Sequence, residues 1–242
     1  MVGARRTAEL VPADTRVVVP VLDADGEIAA GVRALHVLLE NLRLTRDALA
    51  GIDDLVVTAG GDCGVELARI AAARARHRDR LTVLWIDAHP DVSTPETLPS
   101  GSFHGMVLRT LLGEGAAPLI PEEPLAPGQV TLAGVRSFES GQREYIEEAG
   151  IRWYGVEDFE SALDGLSGPV YVHVDLDVLD PAEFASTCYP EPDGVPLQRL
   201  IDFVSRVDGV VGASITEHAP PDGADEAGDA GVIRRLGSAL RR

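Results

Sequence analysis

Two short acidic motifs contain the residues of this chain that are best suited to chemistry. The first is D-A-H-P-D at Asp87 to Asp91, and the second is D-L-D at Asp175 to Asp177. Uncompensated buried carboxylates are costly or take up protons, so we expect a cation between them. A mainly oxygen donor set with one imidazole suits Mn²⁺, Mg²⁺ or Fe²⁺. Two such ions can share carboxylates and lower the pKa of a water molecule toward neutrality.

Each motif directly follows an apolar, β-branched segment, residues 81–86 and 170–174, which is typical of a central parallel strand. Open parallel sheets bind ligands at the carboxyl ends of their strands. Alternate residues of an extended chain point the same way, so each motif is expected to face one centre. The alternative, that these aspartates only cap helices or solvate loops, is the weaker one because two motifs occur together.

Strands and helices alternate along the whole chain, which predicts an α/β fold with a mostly parallel sheet and helices on both faces. No linker interrupts the alternation, so we expect a single domain over residues 1–242. The predicted strands are 17–21, 55–58, 81–86, 129–134, 151–154, 170–174 and 210–215. The predicted helices are 27–50, 65–80, 106–112, 141–149, 158–163, 197–207 and 230–240.

The bulk composition excludes some classes of partner. A formal net charge of −18 over 242 residues argues against binding to nucleic acid or to an anionic membrane. No apolar run approaches the ~20 residues that span a bilayer. The first residues carry no hydrophobic leader and the chain has 2 cysteines, so we expect a cytoplasmic protein.

Further candidates lie at or near other predicted strand ends: Cys63, Arg136 and Glu217. Cys63 is either a ligand or a small buried apolar residue. His104, at the end of a long loop, can shuttle protons to a leaving group. His173 lies inside a buried strand, and we expect it to pack rather than to take part in chemistry.

Taken together, these residues resemble the ureohydrolase (arginase/agmatinase) family, whose members show G-G-D-H, D-A-H-x-D, H-G, D-x-D-x-x-D-P and E-x-x-P in this order. The counterparts here are G-G-D-C at 60–63, D-A-H-P-D at 87–91, H-G at 104–105, D-L-D-V-L-D-P at 175–181 and E-H-A-P at 217–220.

This resemblance implies a three-layer α/β/α sandwich, a binuclear Mn²⁺ centre and hydrolysis of a guanidinium group to urea and an amine, as in arginine metabolism. It implies a homo-oligomer, a trimer or a hexamer. His104 would be the proton shuttle, Glu217 would pair with the guanidinium, and Asp91 would be both ligand and catalytic residue. The implied metal ligands are Cys63, Asp87, His89, Asp91, Asp175 and Asp177.

The loop sequences D-V-S-T-P and S-G-S-F-H, within residues 91–104, are similar to those of the arginase branch. Ser93 and Ser100 would bind the α-carboxylate of an amino acid substrate, and Glu139 would contact its α-amino group. The segment T-C-Y-P at 187–190 replaces T-G-T-P, so Thr187 and the bulkier Tyr189 would border the substrate pocket.

Three functions remain open. The first is hydrolysis of L-arginine or a close analogue such as N-hydroxy-L-arginine. The second is hydrolysis of another guanidino or amidino compound, as in agmatinases, with Tyr189 altering the specificity. The third is a non-catalytic relative that binds a metabolite, because Cys63 stands where the family has its first histidine ligand, and a thiolate is softer and oxidisable.

Overall fold

A computed structural model describes residues 2–22, 24–221 and 226–241 of the chain. Its helices are α1 (Val2–Leu10), α2 (Leu35–Leu49), α3 (Glu66–His77), α4 (Val107–Leu111), α5 (Gln142–Ala149), α6 (Leu197–Val204) and α7 (Glu226–Ala239). Its strands are β1 (Ile28–Ala29), β2 (Val32–Arg33), β3 (Val57–Ala59), β4 (Thr82–Ile86), β5 (Val130–Ala133), β6 (Arg152–Tyr154), β7 (Val170–Asp175) and β8 (Val210–Thr216). Among the described helices, none combines the length and apolar character that crossing a membrane requires.

Within the described ranges, six strands form one parallel sheet in the order β3-β8-β7-β4-β5-β6. Parallel neighbours require long crossover connections, and here most crossovers contain helices that cover the sheet. Strands β4 and β7 lie next to each other in the middle and are almost fully buried. The two acidic motifs therefore start from neighbouring central strands.

The side chains of β4 divide between two apolar cores because successive residues of a strand point to opposite faces. Val83 and Trp85 join the core that contains residues of α2, α3 and α4. Leu84 and Ile86 join the core that contains residues of α6 and α7. The predicted three-layer α/β/α sandwich is thereby confirmed, whereas a single domain over 1–242 stays a prediction.

Three predicted elements are wrong in detail. Residues 17–21 form no strand: no described strand pairs with them, and Val18 is 86% exposed. The predicted helix at 27–50 begins only at Leu35, because the preceding residues form the antiparallel β1–β2 pair and Ala34 has a left-handed φ of 50°. The predicted helix at 158–163 is a 3₁₀ helix, Phe159–Leu163.

Candidate active site and metal centre

Four adjacent strands bring the predicted site residues to one edge of the sheet. Asp175 ends β7 and Asp87 directly follows β4. Glu217 directly follows β8, and Cys63 lies shortly after β3. Because the sheet order is β3-β8-β7-β4 and all four strands are parallel, their carboxyl ends lie side by side.

Two groups of side chains in this region have the composition and spacing of metal ligands. Cys63, Asp87, His173 and Asp175 each offer a donor atom, and these atoms all lie within 4.8 Å of one another. Asp87, His89 and Asp177 form a second group by the same measure. Asp87 belongs to both groups, which is the arrangement expected of a carboxylate that bridges two ions.

Hydrogen bonds from the local backbone hold the carboxylates in place. The Asp87 Oδ1 atom accepts from the backbone N–H of His89 at 2.6 Å, and Asp175 Oδ1 accepts from that of Asp177 at 2.8 Å. The Trp85 indole N–H donates to the other Asp87 oxygen at 3.0 Å. The spacing of two residues in each motif thus allows one acidic side chain to orient the next ligand along the chain.

Asp91 departs from the extended geometry expected of the first motif. Its φ is 51°, so the chain turns there instead of continuing as a strand. The carbonyl oxygen of Asp91 accepts hydrogen bonds from Leu108 and Arg109 in the first turn of α4, at 3.1 and 3.4 Å. Its Oδ2 atom is buried and has no hydrogen-bond partner among the described residues, which is a costly state for a carboxylate without a cation.

Several buried acidic groups lie close together here, and their pKa values are raised as a result. Burial, reinforced by the charge of Asp87, raises the pKa of Asp91 well above its ordinary value. Burial and the Asp177 charge act in the same way on the pKa of Asp175. Burial and then the Asp175 charge raise the pKa of the Cys63 thiol, which donates to Asp175 Oδ2 at 3.0 Å. Divalent cations would relieve this repulsion, so the donor set fits the ions that the family resemblance implies.

His89 lies on the more open side of this cluster. Its Nδ1 atom is 3.0 Å from Asp177 Oδ2, and its Nε2 atom is 3.4 Å from Glu191 Oε1. Burial opposes a charge on the ring, but hydrogen bonds to Asp177 and Asp87 outweigh it and raise the pKa of His89 to about 12. The imidazole therefore holds a proton where a metal ion can replace it.

His173 is buried as the sequence predicts, and its ring also contacts the candidate ligands. Its Nε2 atom lies 3.6 Å from Cys63 Sγ and 3.7 Å from Asp87 Oδ2. A strand has a period of two residues, so His173 faces the same side of β7 as Asp175. That spacing was the signal available in the sequence.

His104 and Glu217 lie together beside the cluster. His104 Nδ1 is 3.8 Å from Glu217 Oε1, and both side chains retain some exposure. Burial and the negative charge of Asp62 raise the pKa of Glu217 to about 8. The ring of Tyr189 meets His104 edge-on with centroids 5.3 Å apart, and Tyr189 is 51% exposed.

The residues predicted to contact an amino acid substrate occupy the loops around this edge. The Ser93 hydroxyl donates to Glu139 Oε2 at 2.8 Å and accepts from the Gln142 amide at 2.9 Å. Ser100 accepts from the backbone N–H of Ser102. Thr187 Oγ1 is buried without a partner in the part of the chain that the structure describes.

Arg136 stabilises the backbone around the candidate site and is not one of the candidate ligands. Its guanidinium donates to backbone carbonyls of the second motif and of the loop that follows it, among them Asp177 at 2.9 Å and Glu191 at 2.9 Å. Sequence reasoning missed Glu191, which lies beside His89, and Glu66, which accepts from His173. Neither belongs to the quoted motifs, so only the folded structure identifies them.

Comparison with known proteins supports the resemblance to the arginase family. The model of the Arginase family matches residues 9–234. The arginase of Bacillus subtilis is 37% identical over 151 residues, which cover 56% of this chain and 51% of that protein. The N(omega)-hydroxy-L-arginine amidinohydrolase of Streptomyces lavendulae is 35% identical over 181 residues, which cover 70% of this chain and 63% of that protein. The matched regions thus span about half to two thirds of these relatives.

A solved structure with the same fold is that of Entamoeba histolytica arginase in complex with L-ornithine. It has a TM-score of 0.82 and 25% identity, covering 92% of this chain and 82% of that one. The family match extends over nearly the whole chain and includes every predicted site residue. The chain belongs to the arginase family.

Proposed function

We propose that this protein is a metal-dependent amidinohydrolase that acts on L-arginine or a close analogue such as N-hydroxy-L-arginine, releasing urea or hydroxyurea and an amine. The observation that carries the proposal is the convergence of two ligand groups sharing Asp87 with His104 and Glu217 at one sheet edge. The activities named for the Bacillus and Streptomyces relatives support it.

The proposed cofactor is a pair of divalent ions, with Mn²⁺ the first ion to test. Cys63, Asp87, His89, Asp91, Asp175 and Asp177 would hold them. When bound, the ions supply Lewis-acid activation of a water molecule at neutral pH, which an unreactive, resonance-stabilised guanidinium requires. The orphaned Asp91 oxygen and the raised pKa values of Asp91 and Asp175 support this assignment.

Glu217 is proposed to bind the guanidinium group. A carboxylate pairs with a guanidinium by two charge-assisted hydrogen bonds, which fix both the position and the orientation of the planar cation. Glu217 has a left-handed φ of 59°, and its N–H donates to the Gly61 carbonyl at 2.8 Å, so its backbone is held at the sheet edge. Burial and the charge of Asp62 favour the protonated form of Glu217, and a bound guanidinium would favour the ionised form instead.

His104 is proposed to carry the proton that the leaving amine needs. The ring lies within reach of Glu217, at 3.8 Å between Nδ1 and Oε1, and stays partly exposed. A partly exposed imidazole can exchange its proton with solvent and deliver it to a group bound by Glu217. The edge contact with Tyr189 holds one side of the ring.

For an amino acid substrate, Ser93, Ser100, Glu139 and Thr187 are proposed to bind the α-carboxylate and α-amino groups. The close Ser93–Glu139 pair supports this, because it combines a hydroxyl donor for a carboxylate with a negative charge for an ammonium. The L-ornithine bound to the Entamoeba relative is the amine that arginine hydrolysis would leave.

A second candidate is hydrolysis of another guanidino compound. Tyr189 favours it, because its exposed ring lies beside His104, where the T-G-T-P sequence of the family would place the smaller side chain of threonine. Comparing kcat/KM for L-arginine, N-hydroxy-L-arginine, agmatine and guanidinobutyrate separates the two candidates. If Tyr189 sets the specificity, Tyr189→Thr will shift the order of these four values.

We also propose an assembly and a cellular location for the protein. The family resemblance supports a homo-oligomer, a trimer or a hexamer, which light scattering coupled to size-exclusion chromatography tests. The charge of −18 and the cysteine usage support a cytoplasmic protein without nucleic acid or membrane partners.

The test of the proposed function is a substrate panel assayed for urea and hydroxyurea after measured metal loading. Turnover of at least one compound is expected, and Glu217→Gln should lose it. Glu157→Gln, an exposed surface change, is the matched control. Two bound ions per chain with no turnover across the panel would overturn the proposal and favour a non-catalytic relative.

A further inference from the structure

We propose that His173 supplies the nitrogen ligand of the buried metal position, together with the Cys63 thiolate and the Asp87 and Asp175 carboxylates. This position then takes a thiophilic ion such as Zn²⁺ or Fe²⁺ in preference to Mn²⁺. The inference rests on the proposed binuclear function and adds a ligand, a positioning residue and a class of metal. The imidazole ligand that the family resemblance implies at position 63 would here come from His173 on β7, which is separated from β3 by β8.

The distances between the donor atoms suit a four-coordinate ion. Cys63 Sγ lies 3.6 Å from His173 Nε2 and 3.0 Å from Asp175 Oδ2, and His173 Nε2 lies 3.7 Å from Asp87 Oδ2. A tetrahedron with bonds of roughly 2.0 to 2.3 Å has edges of roughly 3.3 to 3.8 Å. Two of the three distances fall in this range, and the Cys63–Asp175 pair, now joined by a hydrogen bond, would separate slightly when both atoms bind one ion.

Glu66 positions the ring for this role. Its Oε1 atom lies 2.9 Å from His173 Nδ1, and both side chains are fully buried. When an ion displaces the proton from Nε2, this carboxylate would keep the other proton on Nδ1, and the Nε2 lone pair would then face the ion held by Cys63 and Asp87. A carboxylate behind a metal-binding histidine is a recurrent way of fixing the tautomer and raising the basicity of the ligand.

Packing prevents the ring from turning away. Trp85 stacks on His173 with centroids 3.7 Å apart and an interplanar angle of 24°. Ser214, opposite His173 on β8, lies 3.2 Å from its Nδ1 atom. A histidine that served only to fill the core would not need a buried carboxylate partner at one nitrogen and a thiol at the other.

The two metal positions therefore differ in chemistry. The group of Asp87, His89 and Asp177 offers carboxylates and one imidazole, which suit Mn²⁺. The buried group adds a thiolate and so resembles the mixed sulfur, nitrogen and oxygen donor sets that bind Zn²⁺, Fe²⁺ or Co²⁺. We infer a mixed-metal centre with the softer ion on the Cys63 side.

The first experiment uses the wild-type chain loaded with one equivalent of Co²⁺ or Zn²⁺. Thiolate ligation to Co²⁺ gives a near-ultraviolet charge-transfer band, and X-ray absorption at the zinc edge should show one sulfur at about 2.3 Å. Cys63→Ser should lose both signals, whereas Cys188→Ser, which changes the exposed cysteine, should keep them. Purely oxygen and nitrogen ligation in the wild type would overturn the inference.

The second experiment tests His173 and Glu66 by chelator competition with Zn²⁺. His173→Asn should weaken the first binding step roughly 100-fold or more, and Glu66→Gln should weaken it by roughly 10- to 100-fold while the cobalt band persists. His36→Asn, an exposed change, should leave the affinity unaltered. Circular dichroism and retained binding at the second position establish that the variants fold. Unaltered zinc affinity in His173→Asn would overturn the assignment of His173.

These readouts separate the inference from the proposed function. Sulfur ligation without release of urea or hydroxyurea would leave the inference standing and overturn the hydrolase. Turnover by an enzyme whose ions have only oxygen and nitrogen ligands would support the hydrolase and overturn the inference.

Discussion

Asp91 and Glu217 share a left-handed backbone conformation, with φ values of 51° and 59°. Both follow strands of the sheet, β4 and β8, and the charges of both carboxylates contribute to the raised pKa of the Cys63 thiol. Non-glycine residues adopt this conformation at a cost, and such strain concentrates at functional positions. The fold thus gives up some stability to hold two acidic side chains at the sheet edge.

The first prediction separates the backbone cost at Glu217 from its side-chain role. Both Glu217→Ala and Glu217→Gly remove the carboxylate, but only glycine relieves the left-handed φ. We expect the free energy of unfolding of the metal-free glycine variant to exceed that of the alanine variant by about 1 kcal/mol. Chemical denaturation measures the difference, and both variants should lack activity. An alanine variant at least as stable as the glycine variant would contradict the assigned strain.

The second prediction concerns Cys63. Restoring the family's histidine with Cys63→His replaces a soft thiolate by an imidazole, which should raise affinity for Mn²⁺ and lower the preference for Zn²⁺ over Mn²⁺. Isothermal titration with each ion measures both effects. The matched control, Cys188→Ser, should keep the wild-type affinities for both ions. An unchanged Mn²⁺ affinity in Cys63→His would indicate that Cys63 only packs.

The third prediction follows from the shared position of Asp87. Asp87→Asn should reduce the metal content by two ions per chain, because both ligand groups lose a carboxylate. His89→Asn should reduce it by one, since His89 belongs to a single group. Metal analysis after gel filtration gives the stoichiometry, with the exposed change Asp208→Asn as the control. Equal losses in the Asp87 and His89 variants would refute the bridging assignment.

The fourth prediction concerns pH and the metal-free protein. Burial opposes protonation of His173, but hydrogen bonds to Asp87 and Glu66 raise its pKa from 6.5 to about 9. The stabilisation by the protonated ring is complete below pH 6.5 and is lost as the pH rises through about 9. Glu217, with its pKa raised from 4.5 to about 8, also makes the fold less stable as the pH rises between these values.

The Tm of the chelator-treated protein should therefore fall between pH 6.5 and 9, the range over which His173 loses its proton. Excess metal should flatten this dependence, because ions replace the protons. His173→Asn should reduce the slope of the metal-free curve. A metal-free Tm that rises over this range would show that these groups are not coupled as described.

The sequence specified the central part of the fold well because continuous apolar strands and acidic strand ends have a local signature. Val17 to Val21 show the limit of that signature: the run is apolar, but a strand also needs a partner, and none pairs with it among the described residues. The turn at Asp91 was missed because a left-handed φ depends on anchoring by α4, far along the chain.

Most of the predicted ligands come together in the two candidate ligand groups: Cys63, Asp87, His89, Asp175 and Asp177. Asp91 belongs to neither group, and His173, Glu66 and Glu191 were not recognised from the sequence. His173 looked like a core residue because its neighbours in β7 are apolar. Its role depends on Glu66 and Cys63, which lie 107 and 110 residues away in the chain. The two-residue spacing from Asp175 indicates only that His173 shares its face of β7, and contacts with residues so distant in the chain have no signature in a single sequence.

In the proposed function, this centre hydrolyses a guanidinium group by means of bound divalent ions and the Glu217 carboxylate. The most direct measurement is release of urea from L-arginine, or of hydroxyurea from N-hydroxy-L-arginine, by metal-loaded wild type, chelator-stripped wild type and metal-loaded Glu217→Gln. The account predicts release by the first sample alone, restored to the second by adding metal. Equal release by stripped protein, or none by protein shown to hold both ions, would contradict it.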